Sequence, residues 1–464
     1  MEASDETGRL EAEGLELAFD TEGGQRQLRK MTARGNARYR QEKPYRVAQA
    51  ETIEYTPKEG TLDLAGGERG LASVEEEAEV IEAEALRLEG EDGSQRLTGK
   101  GVGRLQYYEG VVDPRARETS RPAYDIRWKQ RCSLTEKRAV FEGEVEALQA
   151  RSRLRSNVLE LGFEAAPGGK ASRAPRTLAA RGGVVFDDLS RGESLQAKGD
   201  ILTFDFSTQV MKLESTAEYD EEARNLPEGA VASITFGPNR LSSRTVYYLE
   251  DKDTSERLLW TQRGGEADIQ RFERRGQREE LVERTRVRCR GSIVYAPPRR
   301  LEEAAKRAGM PFGKTPMPEG LVAAPTKDVT EDGLALFVDD VRVRREVAPR
   351  AGGKLEVELE LACRYLETHF GKEKGSNREQ MTRMGAAGRV QITHKKRHKE
   401  TVATGERMTW ERDDQREWRA ELLGAPYARV EDEDKQLTGK RVMLYGNPAE
   451  VKVEEAVSVS GSAP

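Results

Sequence analysis

The sequence predicts an all-β protein: an elongated stack of antiparallel strands with one short helix in a Pro-rich linker. Three observations predict it. Apolar residues alternate with polar ones at period two in short runs, the mark of strands with one buried face. Those runs recur along the whole chain. The apolar set AVILMFWYC is only 36% while glycine numbers 44 of 464 residues, a balance that suits thin sheets better than thick helical cores.

Residues 1–28 form an acidic, polar N-terminal segment whose alternation at Leu15-x-Leu17-x-Phe19 reads as a first strand or a ragged end. A first strand pattern, apolar-x-small-x-Gly-x-apolar-x-apolar, then begins at Met31-x-Ala33-x-Gly35-x-Ala37-x-Tyr39. It returns at Leu97 to Leu105, Leu178 to Phe186 (with Val184), Val287 to Tyr295 and Met384 to Ile392 (with Val390). Phe141-x-Gly143-x-Val145-x-Ala147 is a shorter relative.

A second pattern reads Ala48-x-Ala50-Glu51-x-Ile53-x-Tyr55, with copies at Ile81 to Leu88, Ala197 to Phe204 (with Asp200 and Leu202) and Ala403 to Trp410 (with Glu406 and Met408). Looser copies run from Leu154 to Leu161 and from Leu437 to Leu444. Parity breaks inside it, because Ala48 and Ala50 are even and Ile53 and Tyr55 are odd. One extra residue is a β-bulge, which bends the strand while both halves keep facing inward. The acids Glu51, Glu84, Asp200 and Glu406 then read as acceptors for N–H groups that the bulge leaves open. A third pattern, Leu62-x-Leu64-x-Gly66, follows the turn Pro57-Lys58-Glu59-Gly60, and Val210 to Leu213 and Ala420 to Gly424 resemble it.

The repeats are irregularly spaced, which a parallel β-helix would not tolerate and a stack of hairpins with variable loops would. Residues 29–296 read as one run of strands, with a flexible loop at 165–176. Residues 297–327 form the Pro-rich linker, where Leu301 to Ala308 carries Glu302 and Glu303 in the first turn and Arg307 in the last, the signature of a short helix. Residues 328–464 form a second stack segment, continuous with the first or hinged to it.

With 77 basic and 83 acidic residues the net charge is −6, which excludes a broad nucleic-acid surface. No apolar run reaches the roughly 18–20 residues of a helical membrane span, and Met1 to Glu6 lacks the basic and apolar regions of a signal peptide. Cys132, Cys289 and Cys363 are too dispersed for a disulfide framework or a zinc site. His369, His394 and His398 have no metal spacing, and no nucleophile elbow, Walker loop or dinucleotide fingerprint is present. No cofactor or metal is expected, and the chain reads as a non-enzyme. A carbohydrate-active β-solenoid, whose paired carboxylates leave no local motif, is the enzymatic alternative.

The cycle of these three patterns resembles the OstA-like, or LptA-type, lipopolysaccharide-transport domains, whose antiparallel stack is called a β-jellyroll or β-taco. The resemblance covers most of 29–296 and 380–455 and weakens across 215–280. It implies a periplasmic bridge that carries lipopolysaccharide from the inner to the outer membrane, acyl chains in an apolar cleft. It also implies LptC-type inner-membrane and LptD-type outer-membrane partners joined by edge-strand pairing, and end-to-end self-association. The expected cleft lining is Met31, Ala33, Ala37, Tyr39, Ala48, Ala50, Ile53, Tyr55, Val184, Phe186, Leu202, Phe204, Val390, Ile392, Met408 and Trp410. The aromatics among them have a second reading as core filling. The rival function is a structural or surface β-stack without a lipid ligand. Two basic runs, His394 to Lys399 and Arg284-x-Arg286-x-Arg288-x-Arg290, read as solvated faces or as contacts to phosphate.

Overall fold

The computed structural model describes the chain apart from residues 1, 5–7, 23–24, 43–44, 69, 77, 91–95, 110–119, 165–174, 190–193, 217–230, 252–253, 255, 263, 276–277, 309–328, 349–353, 374–378, 397–398, 413–417, 433–434, 447–448 and 462–464. The loop at 165–176, most of the linker and His398 therefore lie wholly or largely outside the described residues. What is described is all-β with antiparallel pairing, one α-helix and two 3-10 turns. Contacts divide it into two compact units, Met1–Thr208 and Gln209–Pro464.

In the first unit successive layers pair in chain order, a layer being one bent strand or two short ones. Gln25–Glu42 pairs with Tyr45–Thr56. One half of Tyr45–Thr56 then pairs with Thr61–Ala65 and the other half with Ala72–Glu76. Both short strands pair with Glu79–Glu89, which pairs with Arg96–Tyr107. The same division recurs: Gly8–Glu11 and Gly14–Glu22 pair with the two halves of Gln25–Glu42, and Arg131–Leu134 and Tyr124–Trp128 together form the layer between Arg96–Tyr107 and Arg138–Gln149. Ser152–Phe163, Pro175–Asp188 and Leu195–Asp205 complete the series. Every layer thus contributes one half to each of two sheets. The expected turn forms at Pro57–Glu59, where Gly60, at φ +59°, closes it with its N–H on the Pro57 carbonyl at 3.1 Å. The polar N-terminal segment is folded too, as the strand Gly14–Glu22 paired with Gln25–Glu42.

The second unit begins with short strands and then settles into long ones. Val329–Val347 pairs on one side of its bend with Arg278–Cys289 and on the other with Ile293–Ala296. The expected continuous strand from Val287 to Tyr295 is therefore broken at Gly291, whose N–H donates to the Val338 carbonyl at 3.0 Å at the bend. Glu356–Glu373, Glu379–Lys396, Lys399–Arg412, Trp418–Asp432, Lys435–Gly446 and Ala449–Gly461 follow in order. The helix forms at Leu301–Arg307 and buries Ala304 and Ala305. Ala304 and Ala308 join a cluster with Trp260, Leu258 and Val294.

Inward residues of successive layers meet in columns. One runs Ile53, Leu64, Leu86, Gly99, Cys132, Phe141, Leu159, Ala180, Leu202, each opposite the next in register. Burying a leucine-sized side chain is worth about 1.5–3 kcal/mol, so such a column is the main stabilising element of the fold. The outward positions carry the charge. Arg46 meets Glu76 at 2.7 Å, Arg104 meets Asp125 at 2.8 Å, and Arg131 meets Glu142 at 2.8 Å. Such cross-strand pairs contribute only about 0.2–1 kcal/mol each. They explain how a chain with 34% charged residues tiles two solvated faces with a net charge of only −6.

Candidate functional site

The corner where the sheets meet is built the same way in layer after layer. At Gly35-Asn36, Gly143-Glu144, Gly182-Gly183 and Gly388-Arg389 two consecutive residues have positive φ. Each pair faces a single residue on the following strand: Glu51, Asn157, Asp200 or Glu406. That two-against-one count is a bulge, and it turns the strand while both halves keep their apolar side chains inside. The residues expected to cap open N–H groups are therefore the single residues of the corner. At Gly101, φ +77°, the N–H goes instead to the backbone carbonyl of Gln130 at 2.7 Å. Glu84 lies over this glycine, so that an added Cβ would strike its carboxylate. Its role there is to cover the corner.

The corner brings the expected lining residues of the first unit into two opposed sheets. Ala33 faces Ile53, Ala37 faces Ala50, Tyr39 faces Ala48 and Met31 faces Tyr55. In the later layers Ala180 faces Leu202, Leu178 faces Phe204 and Phe186 faces Ala197. Positions nearest the corner are sealed: Ala33, Ala37, Ile53, Val184 and Leu202 are all buried by protein. Positions farther from it form a rim. Met31, Tyr39, Tyr55, Phe186 and Phe204 point the same way yet stay half-buried. In the middle layers the same columns are buried, at Leu88, Leu97 and Leu134 on one side and Ile81, Leu105 and Ile126 on the other. Nearer the corner Trp128 and Phe141 pack with ring centroids 5.3 Å apart. Gly103 makes room for that tryptophan, since a Cβ would collide with its ring.

In the second unit Val390, Ile392, Met408 and Trp410 are all buried in the interior. A small apolar cavity of about 30 Å³ opens among Phe236, Leu241, Ile269, Tyr295, Phe337 and Phe370. Tyr295 touches both Phe236 and Phe370, at 5.6 and 5.8 Å between rings. Sequence alternation missed the charge inside this unit. Arg345 shares the inward parity of Val341 and Val343 and is nearly as buried. It donates to Glu283 at 2.8 Å, pairs with Glu358 and lies 5.7 Å from the centre of the Trp410 ring. Burial works against its charge, but the two carboxylates overcome that and raise its pKa. The signal available in sequence was the odd-numbered Val341-x-Val343-x-Arg345 run, in which the arginine occupies an apolar position.

Burial pushes the thiols of Cys132, Cys289 and Cys363 up to about 12, which leaves them as inert core residues. Among the described residues no cluster of His, Cys, Asp and Glu has the geometry of a metal site, and no helix is long and apolar enough to cross a membrane.

Residues 129–234, which span the sealed layers and the rim at Phe186 and Phe204, match the family model described as LptA/(LptD N-terminal domain) LPS transport protein. The OstA-like resemblance holds. Among solved structures the chain is similar to LptH of Pseudomonas aeruginosa, the LptA-homologous periplasmic component of its lipopolysaccharide transport device. The two are 12% identical over 26% of this chain and 76% of that one, with a TM-score of 0.19. No curated protein matches the chain.

Proposed function

We propose that this OstA-like chain is a periplasmic bridge for lipopolysaccharide, holding acyl chains against the apolar inner faces of its sheets. Residues 29–296 and 328–464 would both carry lipid. One observation supports this reading most: a rim of inward, half-buried apolar side chains (Met31, Tyr39, Tyr55, Phe186 and Phe204) along an otherwise sealed interior. A rim of this kind gives an acyl chain a surface to slide on, and each methylene it hides from water is worth about 0.8 kcal/mol. The remaining lining residues, Ala33, Ala37, Ala48, Ala50, Ile53, Val184, Leu202, Val390, Ile392, Met408 and Trp410, form the floor that becomes available when the sheets part. LptC-type and LptD-type partners, or further copies of the chain, would add to its open edges as extra strands.

The filled middle layers at Trp128 and Phe141 favour the second reading, a β-stack with no lipid ligand. Displacement of a fluorescent lipid A mimic by lipopolysaccharide separates the two. Leu202→Asp is expected to lower mimic affinity at least tenfold, and Phe204→Asp, at a half-buried position that spares the fold, to do the same. Folded variants of both residues that retain the mimic as the parent does would leave the structural reading standing.

A further inference from the structure

The basic run Arg284 to Arg290 has a partner on the next strand. In the register between Arg278–Cys289 and Val329–Val347, Arg286 stands directly opposite Arg344 and Arg288 directly opposite Arg342. Like charges in such a pair destabilise a sheet, so the arrangement has a cost that neither the fold nor lipid carriage requires. All four arginines point away from the apolar interior, whose side of the same strands is taken by Val287, Val341 and Val343. Together they wall a cavity of about 540 Å³, with Ala362, Gln391 and Thr393 among its other lining residues. That volume lies within the usual range of small-molecule sites, about 300–1,000 Å³.

Carboxylates stand nearby without saturating the arginines. Arg344 meets Glu346 at 3.1 Å, Arg342 meets Asp340 at 3.4 Å, and Arg288 binds Glu266 at 2.5 Å. Arg286 reaches Glu346 only at 3.6 Å, and its Nε is buried with no hydrogen-bond partner. Glu360, at the edge of the cavity, is held by Lys395 at 3.1 Å. A guanidinium has five N–H donors in a fixed fork, so each arginine retains donors after its single carboxylate. Gln391 and Thr393 add neutral ones.

We propose that this outer-face cavity is a binding site for a doubly phosphorylated saccharide. Same-face residues two apart on a strand are about 7 Å apart, so the two arginine pairs offer two anion positions separated by about the width of a sugar ring. Forked donors fit phosphate bidentately, and Gln391 and Thr393 suit hydroxyls between the phosphates. Acyl chains have no part in this site, because it lies across the sheet from the apolar interior.

The test is calorimetric titration of the full chain with glucose 1,6-bisphosphate, with glucose 1-phosphate and inorganic sulfate as comparisons. Bisphosphate is expected to bind at least tenfold more tightly than either, weakening as salt rises. The double variant Arg286→Gln, Arg344→Gln should lose at least tenfold in that affinity while still binding the fluorescent lipid A mimic as the parent does. That last readout keeps this site distinct from the lipid rim. Sulfate binding as tight as bisphosphate would mark a site for adventitious ions only, and would overturn the proposal. So would an unchanged affinity in a folded double variant, or no binding to the parent.

Discussion

The two units use the same corner and the same alternation, yet they fill their interiors differently. In Met1–Thr208 the column from Ile53 to Leu202 is apolar throughout, and its middle layers are packed by Trp128 and Phe141. In Gln209–Pro464 the corresponding space holds Arg345 between two carboxylates and against Trp410. A corner of left-handed residues plus period-two alternation therefore specifies the fold, and the interior can vary around it. Charge is tolerated inside as long as it is matched, since breaking one partner of a buried pair leaves the other uncompensated.

That contrast can be broken from either side. Phe141→Ala should destabilise the first unit by about 4 kcal/mol through the cavity it leaves, and hydrogen exchange should report faster opening in Met1–Thr208. Arg345→Leu should lower the stability of the second unit by about 3 kcal/mol, because Glu283 and Glu358 then lose their buried cation. If Arg345→Leu were neutral, the charge would be incidental to the packing. Gly101→Ala tests what the units share. Forcing a side chain into the left-handed region and against Glu84 should cost about 2 kcal/mol. Adding Glu84→Ala should restore only the part due to collision.

The smallest effect concerns acid. Burial pushes the Asp125 carboxyl up, but the Arg104 and Arg127 guanidiniums outweigh it and hold its pKa below the usual carboxylate value. Its contribution is then fully present above the ordinary carboxylate pKa of about 4 and is lost as pH falls through the lower folded value. Asp125→Asn should accordingly flatten the acid side of the first unit's stability profile below about pH 4. Acid melts by circular dichroism would show this, and unaltered profiles would discount the pair.

Much of this architecture is legible in the residues themselves. The alternation of Met31 to Tyr39 and the parity break between Ala50 and Ile53 locate strands and bend, and Leu301 to Arg307 announces its helix through its terminal charges. What alternation hides is the corner glycine. Gly35 looks like one more inward position between Ala33 and Ala37, but a residue in the left-handed region does not obey strand parity. Arg345 was hidden for a related reason: its position is apolar by period, and only the opposing strands bring Glu283 and Glu358 to it. The rim was foreseen only as a set of inward residues. Which of them stay open depends on what the neighbouring layers put opposite: in the middle layers the column of Tyr55 is closed by Leu88, Leu97 and Leu134.

The central claim is that fatty chains run along the half-buried rim, and photocrosslinking tests it most directly. A photoreactive phenylalanine analogue is placed at Tyr55 and Phe204, and separately at their outward neighbours Glu54 and Thr203, in cells that make lipopolysaccharide. Adducts with lipopolysaccharide at positions 55 and 204 and none at 54 and 203 are the predicted result. Equal labelling at all four positions, or none at any in a folded protein, would contradict it.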